Sequence, residues 1–484
     1  MRPLWTSALA RSLVTSVAGA ALIVPLASVA SASDNDPRLA VAPLPALDAS
    51  EYVTVDEPLA AALTTTRTGQ EDPGYLLTAP STFGGGAAAI YDNAGQVIWE
   101  RPGSYFNFEQ IEWQGQPALT LYDVARGVHL VLNESYQEIA TIQLQNQPTD
   151  GHAIAFSPDG TRVLVEGWVQ QSIDLSPWGG PTNGTILNVV IQEQIVGTGQ
   201  VTFEWDALDH IEPGETTEPM NGFGDLFHAN ALQYDSDGNI LVNFRNTSTV
   251  YKIDIDTGEI IWRFGGEQSD FTFSGGTASM PSYQHDARRL PDGRLSVFDN
   301  GNTHSPQQSR SAIYTIDESS MTATLSQEFR ANPAAYTPFI GSSRQVPNGN
   351  QLVDFGTTGR LVEFSPTGQQ VFTGQFGSGS SSYRADRTDD WTGTPAAAPE
   401  VVVGDAAADG SRTLNVSWNG ATEVDSWRIQ AGASEDALTT LGTTPKTGFE
   451  TAARISAPTD ADVFRVTALD AAGNPLDSHT LTTS

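Results

Sequence analysis

The chain contains no cysteine. No disulfide can staple the fold, and no lipid can be attached through a cysteine at an export cleavage site. A chain of 484 residues does not need such staples, because it can bury a large apolar core. Lysine is nearly absent as well; Lys252 and Lys446 are the only two. With 24 basic against 57 acidic residues, the net charge is −33. Such a surface repels phosphate backbones and anionic lipids, which argues against nucleic acid as a partner. An anionic substrate needs a local arginine to offset that field. Helix signals are scarce. The 45 glycines and 28 prolines instead punctuate short runs rich in Val, Ile, Thr, Tyr and Phe. That punctuation predicts an all-β architecture. Length alone favours more than one domain.

Long apolar runs are missing except at the start. Arg2 and Arg11 give a basic beginning, and Leu13 to Ala30 is apolar and rich in small residues. Ala30-Ser31-Ala32 fits the small-residue cleavage rule. Residues 1–32 therefore read as a signal peptide, and the mature protein as secreted. A membrane anchor is the competing reading. It fits less well, because the run is short and an acidic segment follows directly.

What the sequence does contain is a repeat: a strand, a tight Asp-Gly or Asn-Gly turn, and a second strand. The clearest copies begin at His152, His228, His285 and Gly341, spaced 76, 57 and 56 residues apart. Asp-Gly and Asn-Gly between alternating apolar runs are the strongest short-range hairpin signal. A further hairpin follows each copy, most cleanly at 247–266, so each unit supplies four strands. Weaker copies lie at 87–102 and 117–142. The period suits a propeller. The prediction is a six-bladed β-propeller over 70–393, closed by the strand at 382–391 against the first blade. Seven blades, with 34–70 supplying one, is the alternative. Residues 33–69 otherwise form an N-terminal segment. After Pro395-Ala-Ala-Ala-Pro399 the pattern changes to short alternating strands around Trp418 and Trp427. Residues 396–484 read as a small β-sandwich, fibronectin type III-like.

The first strand of a blade lines the central channel. His152, His228 and His285 then start equivalent strands and converge on one mouth. Asn230 lies two residues beyond His228, on the same face of a regular strand. Arg245 ends the partner strand. Three imidazoles, a guanidinium and an amide, with no obvious carboxylate, suit a tetrahedral oxyanion better than a metal or a sugar ring. A structural role for the histidines and a three-histidine zinc site remain open at this level. His129, His210, His304 and His479 fall outside the pattern and read as incidental. Asp235-Ser-Asp237-Gly238-Asn239 begins like a calcium loop, but Asn246 stands where the loop needs glutamate. It reads as a hairpin turn. Gly84-Gly85-Gly86 is not followed by the Lys-Ser or Lys-Thr of a phosphate loop.

The stretches DGHAIAFSPDG, FHANALQYDSDGNILVNFRNTSTVYKIDIDTGEIIWRFGG, QHDARRLPDGRLSVFDNG and SRSAIYTID make the chain recognisable. Over residues 70–393 it resembles the arylsulfotransferase family, especially its actinobacterial and fungal branch. The resemblance implies a six-bladed propeller. It also implies sulfuryl transfer from an aryl sulfate to a phenol, without the phosphoadenosine donor nucleotide and without a cofactor or metal. The family's sulfated histidine matches His285, and its supporting histidines match His152 and His228. Its asparagine and arginine match Asn230 and Arg245. The implied partners are small molecules, with no nucleic acid and no membrane after signal cleavage. Two other readings stand beside it. One is a non-catalytic propeller binding extracellular glycans or phenolics. The other is a polysaccharide lyase or hydrolase using the same histidines.

Overall fold

The computed structural model describes residues 39–47, 49–55, 60–82, 85–388 and 390–483. The signal-peptide reading of 1–32 lies outside the described residues. The chain is all-β: the described residues form strands and short 3-10 turns, with no α-helix. No helix among them is long and apolar enough to cross a membrane.

Six sheets follow one another between Leu63 and Thr388. Their innermost strands are Ala385–Thr388, Tyr105–Trp113, Thr149–Phe156, Ala229–Tyr234, His285–Arg289 and Ser342–Gln345. The Asp-Gly and Asn-Gly signals fall where the chain reverses. Gly238, Gly293 and Gly349 have φ of 87°, 86° and 87°, a region glycine enters without the Cβ penalty. The calcium-like segment is one of these turns. The Asp235 carboxylate there is bound by Lys252 at 2.9 Å and Arg289 at 2.8 Å.

Burial explains the order of the sheets. One apolar cluster joins the first sheet to the second through Leu77, Ile90, Leu119 and Leu130. Others join second to third, third to fourth, fourth to fifth, fifth to sixth and sixth back to first. The circuit is complete, so each sheet buries both faces against neighbours. The closing contact is covalently remote. Ala385–Thr388, within the segment expected to end the ring, pairs antiparallel with Tyr75–Thr78. A buried ion pair sits at this seam: Arg387 Nε lies 2.8 Å from Glu363 Oε2, both side chains fully enclosed.

The N-terminal segment does not form a seventh sheet among the described residues. Ala40–Pro43 pairs with Glu450–Ser456 in the C-terminal module. Leu63–Arg67 adds a fifth strand to the sixth sheet beside Gln370–Phe376. The expected boundaries at 70 and 396 therefore cut through sheets that borrow upstream strands. The C-terminal module consists of two four-stranded sheets. They enclose Trp427, Ile429, Leu414 and Phe464. Asn419 bonds both the N–H and C=O of Glu100, at 2.9 Å each, and Tyr136 donates to Gly420 O at 2.9 Å. These bonds tie the module to the first two sheets.

Candidate active site

At one end of the ring the inner strands are irregular in the same place. The register shifts between Thr149 and Ile154, between Ala229 and Ala231, and between His285 and Arg288. His228 has φ 56° and Asp286 φ 49°. A bulge re-aims the side chains around it. The Arg245 N–H donates to His228 O at 3.0 Å, so hairpin pairing carries Arg245 to the same end.

The imidazoles converge there. The ring centroids of His152 and His228 are 4.7 Å apart. Tyr383, from the closing segment, lies 5.4 Å from His152 and 6.4 Å from His285. Trp168 stacks on His152 at 5.7 Å, and Phe106 stands 6.3 Å from the same ring. His285 is 1% exposed. His152 and His228 open slightly to solvent, at 18% and 21%.

Each ring is held at Nδ1, and the holders differ. Asp150 accepts from His152 Nδ1 at 2.7 Å, and Asp225 accepts from His228 Nδ1 at 2.5 Å. His285 instead faces the neutral amide of Asn300, with Oδ1 at 2.7 Å. The electrostatic consequences are opposite. Burial of His152 works against its charge, but the Asp150 carboxylate outweighs it and the pKa rises above 6.5. Burial of His285, reinforced by the nearby positive charge of His228, Arg245 and His152, outweighs the Asn300 bond and holds it well below 6.5. His285 is therefore neutral near pH 7.

Arg245 is anchored without a close carboxylate. It donates to Asn246 Oδ1 at 2.6 Å and to Pro338 O at 3.2 Å. Its guanidinium rests 4.7 Å above the Tyr283 ring, and Glu218 is 4.0 Å away. The Nε atom is buried without a hydrogen-bond partner. Burial lowers its pKa, yet a guanidinium stays charged. Beneath the histidines, Arg384 donates to Asn107 and to Asn230 O and lies 3.3 Å from Asp286. Local positive charge thus opposes the acidic surface at this mouth.

Asn230 follows the left-handed His228 and the register shift after Ala229, and is fully buried. Its amide donates to Gln284 O at 3.0 Å and accepts from Asn243 at 2.5 Å. In this arrangement it braces the backbone directly before His285. The site also has carboxylates. Asp150 and Asp225 precede their histidines by two and three residues, in DGH and DLFH. Glu166 is a third, fully buried with both oxygens unpaired. Burial, with Asp150 and Asp225 nearby, pushes its pKa well above the usual carboxylate range. Asn300 lies in the FDNG stretch and was readable in the same way. Tyr383 and Trp168 carried no signal.

The outlying histidines have separate partners. His129 is buried 3.3 Å behind Asp150 O, and burial pushes its pKa down to about 4. His210 stacks on Trp205, His304 bonds Asp299, and His479 bonds Pro399 O. No group of His, Asp or Glu among the described residues is arranged to hold a metal ion.

Comparisons with known proteins add three observations. No curated protein sequence matches the chain. Among solved structures, a protein of unknown function from Bacteroides caccae is similar at 15% identity. It covers 66% of this chain and 100% of its own, with a TM-score of 0.41. Hydrazine synthase of Kuenenia stuttgartiensis covers 58% and 70% at 15% identity and TM-score 0.33. Virginiamycin B lyase from Staphylococcus aureus covers 82% and 99% at 10% identity and TM-score 0.30. The arylsulfotransferase (ASST) family model matches residues 125–377, which hold all three converging histidines and Arg245. That span is more than half of the chain, and the chain belongs to the arylsulfotransferase family.

Proposed function

We propose that this protein is a secreted aryl sulfotransferase that moves a sulfuryl group from an aryl sulfate to a phenol through a sulfohistidine at His285. The scaffold is a six-bladed propeller, its blades the six sheets in turn, with a fibronectin type III-like module behind it. One observation carries the reading. A neutral, buried imidazole shares a channel mouth with an arginine and two aspartate-backed histidines.

The chemistry balances on these groups. The lone pair on His285 Nε2 attacks sulfur and forms an N–S bond. The S–O bond to the aryl group breaks, and its electron pair leaves as phenoxide. His152, its pKa raised above 6.5 by the Asp150 carboxylate, donates the proton that phenoxide takes up. An acceptor phenol then returns a proton to that pair and attacks sulfur. The N–S electron pair goes back to Nε2. Arg245 holds the sulfuryl oxygens as charge shifts onto the leaving oxygen. Trp168, Phe106 and Tyr383 offer aromatic surface for the aryl rings. No nucleotide is required, because the donor carries its own leaving group.

The test is turnover of a chromogenic aryl sulfate with and without a phenol. The proposal predicts that phenolate release rises with acceptor, that the sulfated acceptor accumulates, and that double-reciprocal plots are parallel. Release of free sulfate independent of acceptor, or no release at all, contradicts it. The pH dependence of kcat/KM for the donor follows from the two shifts. Attack needs neutral His285, so the acid limb lies below pH 6.5. Protonation of the leaving group needs charged His152, so the alkaline limb lies above pH 6.5. A profile that falls on acidification through 6.5 contradicts the assignment.

A further inference from the structure

We infer that Asn300 is a positioning residue that fixes the tautomer of His285, placing the proton on Nδ1 and the lone pair on Nε2. The inference rests on the proposed sulfuryl transfer, which needs that lone pair. Three contacts converge on it. The Asn300 amide nitrogen donates to Thr337 O at 2.9 Å and to Ile340 O at 3.0 Å. With both its hydrogens committed to carbonyls, the oxygen end of the amide must face His285. That oxygen only accepts, so Nδ1, at 2.7 Å, must carry the hydrogen. On the far side of the ring, the Ile340 N–H donates to Nε2 at 3.2 Å. A nitrogen that accepts an N–H bond carries a lone pair and no proton. The two ends of the imidazole thus report the same tautomer independently.

The choice of an amide matters. The neighbouring histidines use Asp150 and Asp225 for the same bond, and a carboxylate favours the imidazolium. An imidazolium has no lone pair and cannot attack sulfur. Asn300 orients the ring as firmly and adds no charge. The charged groups that act most strongly on His285 are His228, Arg245 and His152, and the Tyr383 ring lies 6.4 Å away. Asp299, beside Asn300, is paired with Arg310 at 2.8 Å and His304 at 2.9 Å. Asp286, though next in the chain, turns away to Arg344 and Arg384.

The same loop links nucleophile and clamp. Pro338 O accepts from Arg245, while Ile340 N–H marks the attacking nitrogen. In the proposed reaction the sulfur would take the place of that N–H on Nε2.

Two readouts test this. The first is the nitrogen-15 spectrum of histidine-labelled wild-type protein near pH 7, with His285 assigned by its loss in His285→Gln. The expected result is a proton on Nδ1 of His285. A proton on Nε2 overturns the inference, whatever the activity. The second is Asn300→Ala. The expected result is a kcat lowered on the order of 10²-fold or more with KM little changed, and an Nε2–H form appearing in the spectrum. A raised KM with unchanged kcat and unchanged tautomer means Asn300 only anchors the loop, and overturns the inference. If the wild-type tautomer is as expected but no aryl sulfate turns over, the assignment to Asn300 stands and the proposed reaction fails.

Discussion

Replacing His285 with alanine is expected to reduce aryl sulfate turnover on the order of 10⁴-fold or more, the scale seen when an enzyme loses its nucleophile. The residual rate should approach the uncatalysed background. In the proposed reaction the effect exceeds that of any neighbour, because each neighbour would support a step assigned to His285. Arg245 would stabilise charge on oxygens, an effect of about 10²–10³-fold for one donor. His152 would transfer a proton, a contribution of about 10²–10⁴-fold. The residue is buried at 1% exposure, so truncation also leaves a void between Tyr383 and the Asn300 amide. His285→Gln fills that space and is the better test of chemistry against folding. Both variants should be equally inactive. A glutamine variant with a tenth of wild-type turnover removes His285 from the mechanism.

The second large effect concerns the fold. Arg387→Ala is expected to destabilise the protein by about 3–5 kcal/mol, because it leaves Glu363 as an uncompensated buried charge. Arg387 and Glu363 are both fully enclosed at the seam where the last inner strand meets the first sheet. Arg387 also donates to Gly74 O at 2.9 Å and Asn93 Oδ1 at 2.7 Å, which lie on the N-terminal side of that seam. Glu363 accepts from the Asp72 N–H and from Asn350, each at 2.7 Å. A single substitution therefore strands one charge and frees two acceptors. The control is Arg454→Ala, which breaks an ion pair with Asp409 whose side chains are 54% and 58% exposed. Exposed pairs contribute little. Urea midpoints should drop sharply for Arg387→Ala and barely move for Arg454→Ala. Equal midpoints would mean that the seam does not hold the ring.

The hairpins were legible because Asp-Gly and Asn-Gly turns state their own geometry. Gly238, Gly293 and Gly349 share one φ and sit where the sequence places them. The convergence of His152, His228 and His285 was legible for the same reason, since matched positions in a repeat become matched positions in space. Alternation alone does not place Asn230, because it assumes a regular strand. A left-handed residue at His228 and a register shift after Ala229 break the period of two. Bulges leave no periodic trace in sequence, so the carboxylates at Asp150 and Asp225 were missed although they lie beside their histidines. The strands Ala40–Pro43 and Leu63–Arg67 were missed for another reason. Their partners, Glu450–Ser456 and Gln370–Phe376, lie at the other end of the chain, and nothing local encodes that pairing.

The site reads as a division of labour set by what stands behind each imidazole. A carboxylate behind His152 raises its pKa, whereas burial and neighbouring positive charge hold His285 well below 6.5 behind a neutral amide. In the proposed reaction these two similar side chains take the roles of acid and nucleophile.

The central claim is the covalent intermediate, and one measurement meets it directly. The protein is mixed with excess chromogenic aryl sulfate and no acceptor, quenched within the burst under alkaline conditions, digested and examined by mass spectrometry. The account predicts an added SO₃ group on the peptide containing His285, lost when phenol is added before the quench. A burst of phenolate with the group on another residue, or turnover with no adduct on any peptide, contradicts it.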